Sequence, residues 1–390
     1  MKHLILGYAR GSNKWQGLSD ALSSIGIESD IVVENFDNIE GPYNQIWTMA
    51  ESLLPLQAQL EEKWNINNVS AEAADILSNK KKMDDFCSNI GLKALIPQSV
   101  IPTELSDLDI FDQFIIKPTI GSGMKQNFDH KINYITYHNV DAFVADTYSE
   151  LLFQVNQNGF IDKAFGSRTN YYMAQEYLPH TKLYAPYMYV NEYGDINRIF
   201  WVEGNIETFH IDKNRFVSRP VDFLSVLDNE VPNEVISLCD FYFETLVEEL
   251  DIKSMFFAGP DFYYKNDLPI KIIDCNPRIG QGLQIINELN NNEILQSLLQ
   301  NKEFTINNKI LWKRVNLNPG KIKSVSDYSY LSQYITSTTI NSLRPGITIP
   351  DWGGILTVPI ALKIPGNTKT DMLETYRSIS EQIQSCIIYD

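Results

Sequence analysis

Apolar residues come in short bursts along this chain, and their spacing changes character twice. "HLILGY" is a compact apolar run, and "GLSDALSSIGIESDIVV" continues with helical spacing and then a second β-branched run. Strand, helix, strand is the rhythm of a parallel α/β sheet, and Gly26 sits where the helix should stop. "LLPLQAQLEEKW", "SAEAADILS" and "KKKMDDFCSNIG" read as further helices, the last closed by Gly91. The extended "IPQSVIP" then marks a boundary near residue 97.

From "FDQFIIKPTIGSGMKQ" onward the apolar runs shorten and polar connections lengthen. "INYITYH", "YYMAQEYL", "LYAPYMYVNEYGDINRIFWVEG" and "FFAGPDFYYKNDLPIKIIDCN" read as antiparallel strands and hairpins. "NEVISLCDFYFETLVEEL" returns to helical spacing, and "NELNNNE" reads as a polar turn or a helix start. Beyond residue 310, "GGILTVPIALKIPG" reads as strand and "KTDMLETYRSISEQIQ" as an amphipathic helix. The expected class is α/β and α+β: an N-terminal parallel α/β domain over 1–97, two α+β parts over 98–180 and 181–310, and a small α+β tail over 311–390.

Composition changes the picture little: 390 residues, 44% hydrophobic and 12% aromatic, suffice for two or three domains with substantial cores. Charge changes it more. With 32 basic against 49 acidic residues the formal net charge is −17, which repels a nucleic-acid backbone. The four cysteines, Cys87, Cys239, Cys275 and Cys386, show no metal or redox spacing, as in a reducing compartment. No apolar run reaches the roughly 18 residues of a membrane span, and the first residues turn polar too soon for a signal peptide. The expectation is a cytoplasmic protein with neither membrane nor nucleic acid as partner.

The chemistry concentrates in "DCNPRIGQG" at the end of a strand signal. Alternation on a strand would put Asp274 and Asn276 on one face and Cys275, facing the core, on the other. Asp261 lies nearly across the hairpin from Asp274, so two carboxylates and an amide oxygen can converge. An oxygen-only set of this kind suits Mg²⁺, or Mn²⁺, shared with nucleotide phosphates. A hairpin with three solvated polar residues is the other reading. "FIIKPTIGSGMKQ" delivers Lys117 from a strand into a loop with Gly121, Ser122 and Gly123, where backbone N–H groups can approach phosphate. It is not a Walker loop, whose lysine follows the glycines and opens a helix.

Taken in order, these segments resemble the ATP-grasp superfamily, in which two α+β halves close on ATP and Mg²⁺. The resemblance implies an ATP-grasp fold: the N-terminal α/β domain, a central antiparallel ATP-binding region with a lid, and the small C-terminal tail. It places Lys80 of "NKKKMDDFCSNIGL" and Lys117 of "IIKPTIGSG" on phosphates, under a lid loop carrying Ser122 and Gly123. Lys80 can also be read as one helix-start lysine among three. "MAQEYL" is similar to the adenine hinge, with Glu176 and Leu178 bonding through their backbones. "PDF" and "DCNPR" are similar to the metal hairpin, with Asp261, Asp274 and Asn276 as metal ligands and Arg278 on the transferred phosphoryl group. The chain departs from the pattern in two places. His180 and Lys182 stand where the family has a glycine and the acid that accepts from ribose hydroxyls, and lysine only donates. More mildly, Asp274 stands in place of the more usual glutamate, a ligand shorter by one methylene.

The tail is similar to that of the family's carboxylate–amine ligases. The implied reaction joins a small carboxylate, such as an amino acid, to an amine through an acyl phosphate, forming ADP. An ATP-grasp carboxylase and a non-catalytic ATP-binding module that reports nucleotide state are the alternatives. Partners are then small-molecule acid and amine, and a homodimer is compatible with this.

Overall fold

The computed structural model describes residues 2–7, 12–33, 36–119, 126–129, 172–210, 215–220, 222–315, 317–335, 343–349 and 360–390. In chain order, β1 (Lys2–Gly7), α1 (Ser12–Ser24), β2 (Glu28–Val33) and β3 (Gln45–Thr48) precede helices α2 (Leu54–Trp64), α3 (Ala71–Ser78) and α4 (Lys80–Cys87). Next come β4 (Ser99–Val100), β5 (Gln113–Pro118), β6 (Gln126–Asp129), β7 (Tyr172–Glu176), β8 (Lys182–Val190), β9 (Ile196–His210), β10 (Arg215–Pro220) and β11 (Asp222–Val226). Helix α5 (Asn233–Leu250) leads to β12 (Met255–Ala258), β13 (Asp261–Tyr264) and β14 (Lys271–Ile273), then α6 (Gln281–Leu289) and α7 (Glu293–Leu299). The tail holds β15 (Lys309–Arg314), β16 (Gly320–Val325), β17 (Thr348–Ile349), β18 (Ala361–Gly366), α8 (Lys369–Ser385) and β19 (Ile387–Tyr389). "INYITYH" and the start of "GGILTVPIALKIPG" lie outside the described residues.

The chain forms two compact units, each assembled from three stretches: Met1–Ile96, Leu183–Glu203 and Ser225–Lys309 in one, Pro97–Lys182, Gly204–Leu224 and Ile310–Asp390 in the other. In the first, β2-β1-β3 form a parallel sheet with Ile5 beside Ile31 on one side and Trp47 on the other. Leu4, Ile5 and Leu6 are fully buried, as a strand covered on both faces requires. Helix α1 stops where expected: Gly26 has φ of 79°, and the Ile27 N–H returns to the Leu22 carbonyl at 3.0 Å. Trp47 packs its ring 5.6 Å from that of Phe256, joining this sheet to β12 within the same unit.

Helix α5 buries Val235, Cys239, Tyr242, Phe243, Leu246 and Leu250, a single stripe at helical spacing. Phe243 meets Phe257 edge-on at 5.3 Å, and Trp201 meets Phe262 at 6.2 Å. This aromatic core backs the β13–β14 hairpin. In "NELNNNE", Asn290 closes α6 and Asn292, at φ of 63°, opens α7, so the segment is a polar turn between two helices.

In the second unit β5 is flanked antiparallel by β6 and β7, with β4 on the far edge of β7 and β10 beside β6. In the tail, β15 pairs with β11 and β18. Helix α8 is capped by Thr368, whose Oγ1 accepts from the Asp371 N–H at 3.2 Å. Strands β17, β16 and β19 form a small sheet of their own.

Candidate active site

The hairpin that carries the two carboxylates is formed: Asp261 stands opposite Ile273, Phe262 opposite Ile272 and Tyr263 opposite Lys271. The strand does not run on through Asp274, however. It ends at Ile273, and Asp274 takes a left-handed φ of 48°. A turn, rather than continued strand alternation, therefore orients Asp274, Cys275 and Asn276. Backbone bonds fix this turn. The Asn276 carbonyl accepts from the N–H groups of Ala258 at 2.9 Å and Arg278 at 2.8 Å, and the Asn276 side-chain amide donates to the Asp274 carbonyl at 2.9 Å.

Gly259 lets this turn close in on the neighbouring strand. Its φ of 109° suits glycine, and a Cβ there would lie 3.3 Å from the Asp274 carbonyl oxygen and 3.4 Å from both Asn276 Nδ2 and the Asp261 nitrogen. With Asn276 Nδ2 engaged locally, its Oδ1 is the acceptor, and Arg278 Nη2 donates to it at 3.5 Å. Among the described residues no group of three or more His, Cys, Asp and Glu is placed to hold a metal. A metal at this turn would have to take two carboxylates, an amide oxygen and oxygens from elsewhere. Mg²⁺ accepts such a set, whereas a thiolate- or imidazole-seeking ion does not.

Arg278 leaves the turn toward a residue that sequence reasoning missed. Its Nε donates to Glu51 Oε1 at 3.0 Å, while Lys80 Nζ lies 3.8 Å from the other carboxylate oxygen. Glu51 is only 5% exposed. Lys80 opens α4 beneath the Asn79 cap, so it is indeed a helix-start lysine, but its neighbours behave differently. Lys81 and Lys82 pair with Asp85 and Asp75 near the surface, whereas the Lys80 side chain is 12% exposed and faces Glu51. The sole trace of Glu51 in the sequence is one acid inside the apolar run "IWTMAESLLPL".

Tyr187 is a second missed neighbour. Its hydroxyl accepts from the Gly282 N–H at 3.2 Å, and its ring stacks on Phe200 at 4.5 Å. Burial raises its phenol pKa, with Arg278 opposing that shift and Asp261 adding to it. A Cβ on Gly280 would fall 2.6 Å from both Tyr187 and Ala258, so α6 can begin here only with a glycine at its cap. The aromatic stretch around Tyr187 mostly packs core, with Tyr184 and Tyr189 buried. The Cys275 thiol is pushed well up by burial, in the company of the Tyr242 phenol and Cys87, which leaves it a poor nucleophile.

The remaining sequence candidates belong to the second unit. Lys117 is 2% exposed on β5, opposite Met173. Glu176 ends β7, where its N–H donates to the Gln98 carbonyl at 2.9 Å and its Oε2 accepts from the Gln98 N–H at 3.3 Å. Leu178 is buried just beyond, and Lys182 begins β8 half-buried. Ser122 and Gly123 lie outside the described residues. The first unit thus brings together Lys80, Arg278, Asn276 and Asp274 with Asp261 on the paired strand, and the second carries Lys117, Glu176, Leu178 and Lys182.

The mixed architecture, with a parallel three-stranded sheet and an antiparallel sheet, is the ATP-grasp fold of the solved structures it superposes on. The comparisons with solved structures agree along the whole length. An L-amino acid ligase from Bacillus licheniformis superposes with a TM-score of 0.66 at 13% identity, covering 100% of this chain and 98% of the ligase. A phosphoribosylglycinamide synthetase from Anaerococcus prevotii gives 0.58 at 14% identity, covering 100% and 99%. An N5-carboxyaminoimidazole synthase from Aspergillus clavatus, in complex with ADP and 5-aminoimidazole ribonucleotide, gives 0.58 at 11% identity, covering 98% and 99%. No family model matches the sequence, and no curated protein matches it. No helix of the described residues is long and apolar enough to cross a membrane.

Proposed function

We propose that this protein is an ATP-dependent carboxylate–amine ligase that joins a small acid, an amino acid or close analogue, to an amine and releases ADP and phosphate. The observation that carries the reading is the end-to-end likeness to the L-amino acid ligase, over 100% of this chain and 98% of that one. The oxygen-only turn supports it, since attack of a carboxylate on a phosphate brings anions together and demands countercharge.

The roles follow from the chemistry of each side chain. Lys117 and Lys80 would serve as point charges for phosphate oxygens, and Ser122 and Gly123 are assigned to phosphate by the resemblance alone. Glu176 and Leu178 offer backbone groups to the adenine. Lys182, a donor only, replaces the acid that would accept from ribose hydroxyls, so nucleotide choice rests on other contacts. Asp261, Asp274 and Asn276 would hold Mg²⁺ or Mn²⁺, which when bound neutralises phosphate charge. The planar fork of Arg278 contacts the phosphoryl group as the substrate carboxylate oxygen bonds to phosphorus and ADP departs. The amine nitrogen then attacks the acyl carbon, phosphate leaves, and the ammonium proton passes to solvent. No cysteine takes part. A cytoplasmic setting, with neither nucleic acid nor membrane as partner, fits this reading.

The test is an ADP-release screen with pooled amino acids, followed by mass spectrometry of the product. ADP and phosphate should appear one for one with the amide, and oxygen-18 in the substrate carboxylate should move into phosphate. AMP and pyrophosphate as products would rule the acyl-phosphate route out. A second reading, carboxylation, follows from the likeness to the N5-carboxyaminoimidazole synthase. ADP release that needs bicarbonate and no amino acid would favour it.

A further inference from the structure

We infer that Glu51 is a positioning residue for the reaction proposed above: its buried carboxylate sets the plane of the Arg278 guanidinium and couples it to Lys80. The inference rests on that reading. Three elements distant in sequence supply the cluster: the short turn before α2, the first residue of α4 and the turn after β14. A carboxylate 5% exposed must be compensated, and Glu51 has two cations, one on each oxygen. The bond from Arg278 Nε, at 3.0 Å, is a charge-assisted hydrogen bond, whereas Lys80 at 3.8 Å is an ion pair beyond hydrogen-bond length.

With Asp261 and Asp274 in the same unit the site has no surplus of positive charge, so the Glu51 contacts matter for where they hold Arg278 and Lys80 rather than for net charge. The geometry at Arg278 is directional as well. Nε is bound to Glu51, and Nη2 lies 3.5 Å from Asn276 Oδ1. Among the described residues no further hydrogen bond holds this guanidinium, so Nη1 remains to meet an incoming oxygen. An arginine held by its Nε edge presents its outer fork in one orientation, which an in-line phosphoryl transfer needs. A purely structural ion pair would serve stability alone and would not act through Arg278.

The two roles separate in a double-mutant cycle. Glu51→Ala and Glu51→Gln are made in the wild-type and Arg278→Lys backgrounds. The readouts are ADP release from MgATP with the twenty protein amino acids supplied as a pool, the KM for ATP, and thermal melting. Glu51→Ala should lower kcat on the order of 10- to 100-fold, with KM for ATP moving less than about threefold, because a misplaced reacting group costs mainly rate. In the Arg278→Lys background the same change should cost less than about threefold, since lysine has no Nε to hold. If Glu51→Ala does not fold, the isosteric Glu51→Gln carries the same cycle with a smaller loss, because its oxygen still accepts from Nε. An equal fold-loss in both backgrounds, or a loss confined to KM for ATP, overturns the inference while the ligase reading stands. A wild type that releases no ADP overturns the ligase reading, and this inference with it.

Discussion

Two buried ionisable side chains near the N-terminus pull stability in opposite directions as pH changes. Glu61, fully buried in α2, accepts from Gln57 Nε2 at 2.8 Å, Val69 N–H at 3.0 Å and Asn68 Nδ2 at 3.4 Å. Burial nevertheless outweighs those bonds and pushes its pKa up to about 7 from 4.5. The unfolded chain therefore releases this proton first, and stability from Glu61 falls as pH rises from about 4.5 to 7 and is flat above. His3, whose Nδ1 accepts from Trp47 Nε1, is held down to about 4 from 6.5, mainly by burial, so its contribution is lost as pH falls through that window. Comparison with Glu61→Gln isolates the first effect. Wild type should lose up to ~3 kcal/mol relative to the variant between the two pKa values, read by denaturant melts across the range. A pH-independent difference would remove Glu61 as the cause. At the proposed site, Arg278→Lys keeps charge but loses the fork, and should lower turnover by about 2–4 kcal/mol in barrier, one to several powers of ten. Asp274→Asn should leave the melt unchanged and abolish ADP release; full activity would remove Asp274 from the metal set.

At the scale of elements, the hairpin was legible because β-branched runs broken by proline and glycine have few other solutions. How it ends was not, because the left-handed turn at Asp274 depends on Gly259 across from it, a contact between strands. Helix α6 was not legible either. Its start is set by the fit of Gly280 against Tyr187 and Ala258, and "RIGQG" carries none of the usual capping side chains. Gly280→Ala should therefore displace the start of α6 and cost about 1–3 kcal/mol as an overpacking change. Because Arg278 lies two residues upstream, ADP release should fall with it. An alanine variant that melts and turns over like wild type would show that the segment accommodates a methyl without moving the arginine.

For the molecule as a whole, ligand linkage gives the broadest check. A protein that binds MgADP in its folded state alone gains about 2.7 kcal/mol at a hundredfold excess over Kd, so its melting point should climb with nucleotide concentration. Chelating the metal should remove most of that rise; ADP with chelator stabilising equally well would argue that Asp261, Asp274 and Asn276 hold no metal. The net charge of −17 and most of the order of strands and helices, α6 excepted, follow from the sequence by itself, because charge is additive and periodicity is local. The segments "KKKM", "IIKP", "MAQEYL", "PDF" and "DCNPR" stand out in the sequence because each is a short local string, and what each of them binds is the proposal made above. The grouping of the chain into units was decided in three dimensions: Met1–Ile96 forms one body with Leu183–Glu203 and Ser225–Lys309, joined through packing such as Trp47 on Phe256. So was the role of Glu51. One acid in an apolar run carries no local sign of its partners, and only folding brings it beside Lys80 and Arg278, where low exposure makes the pairing count.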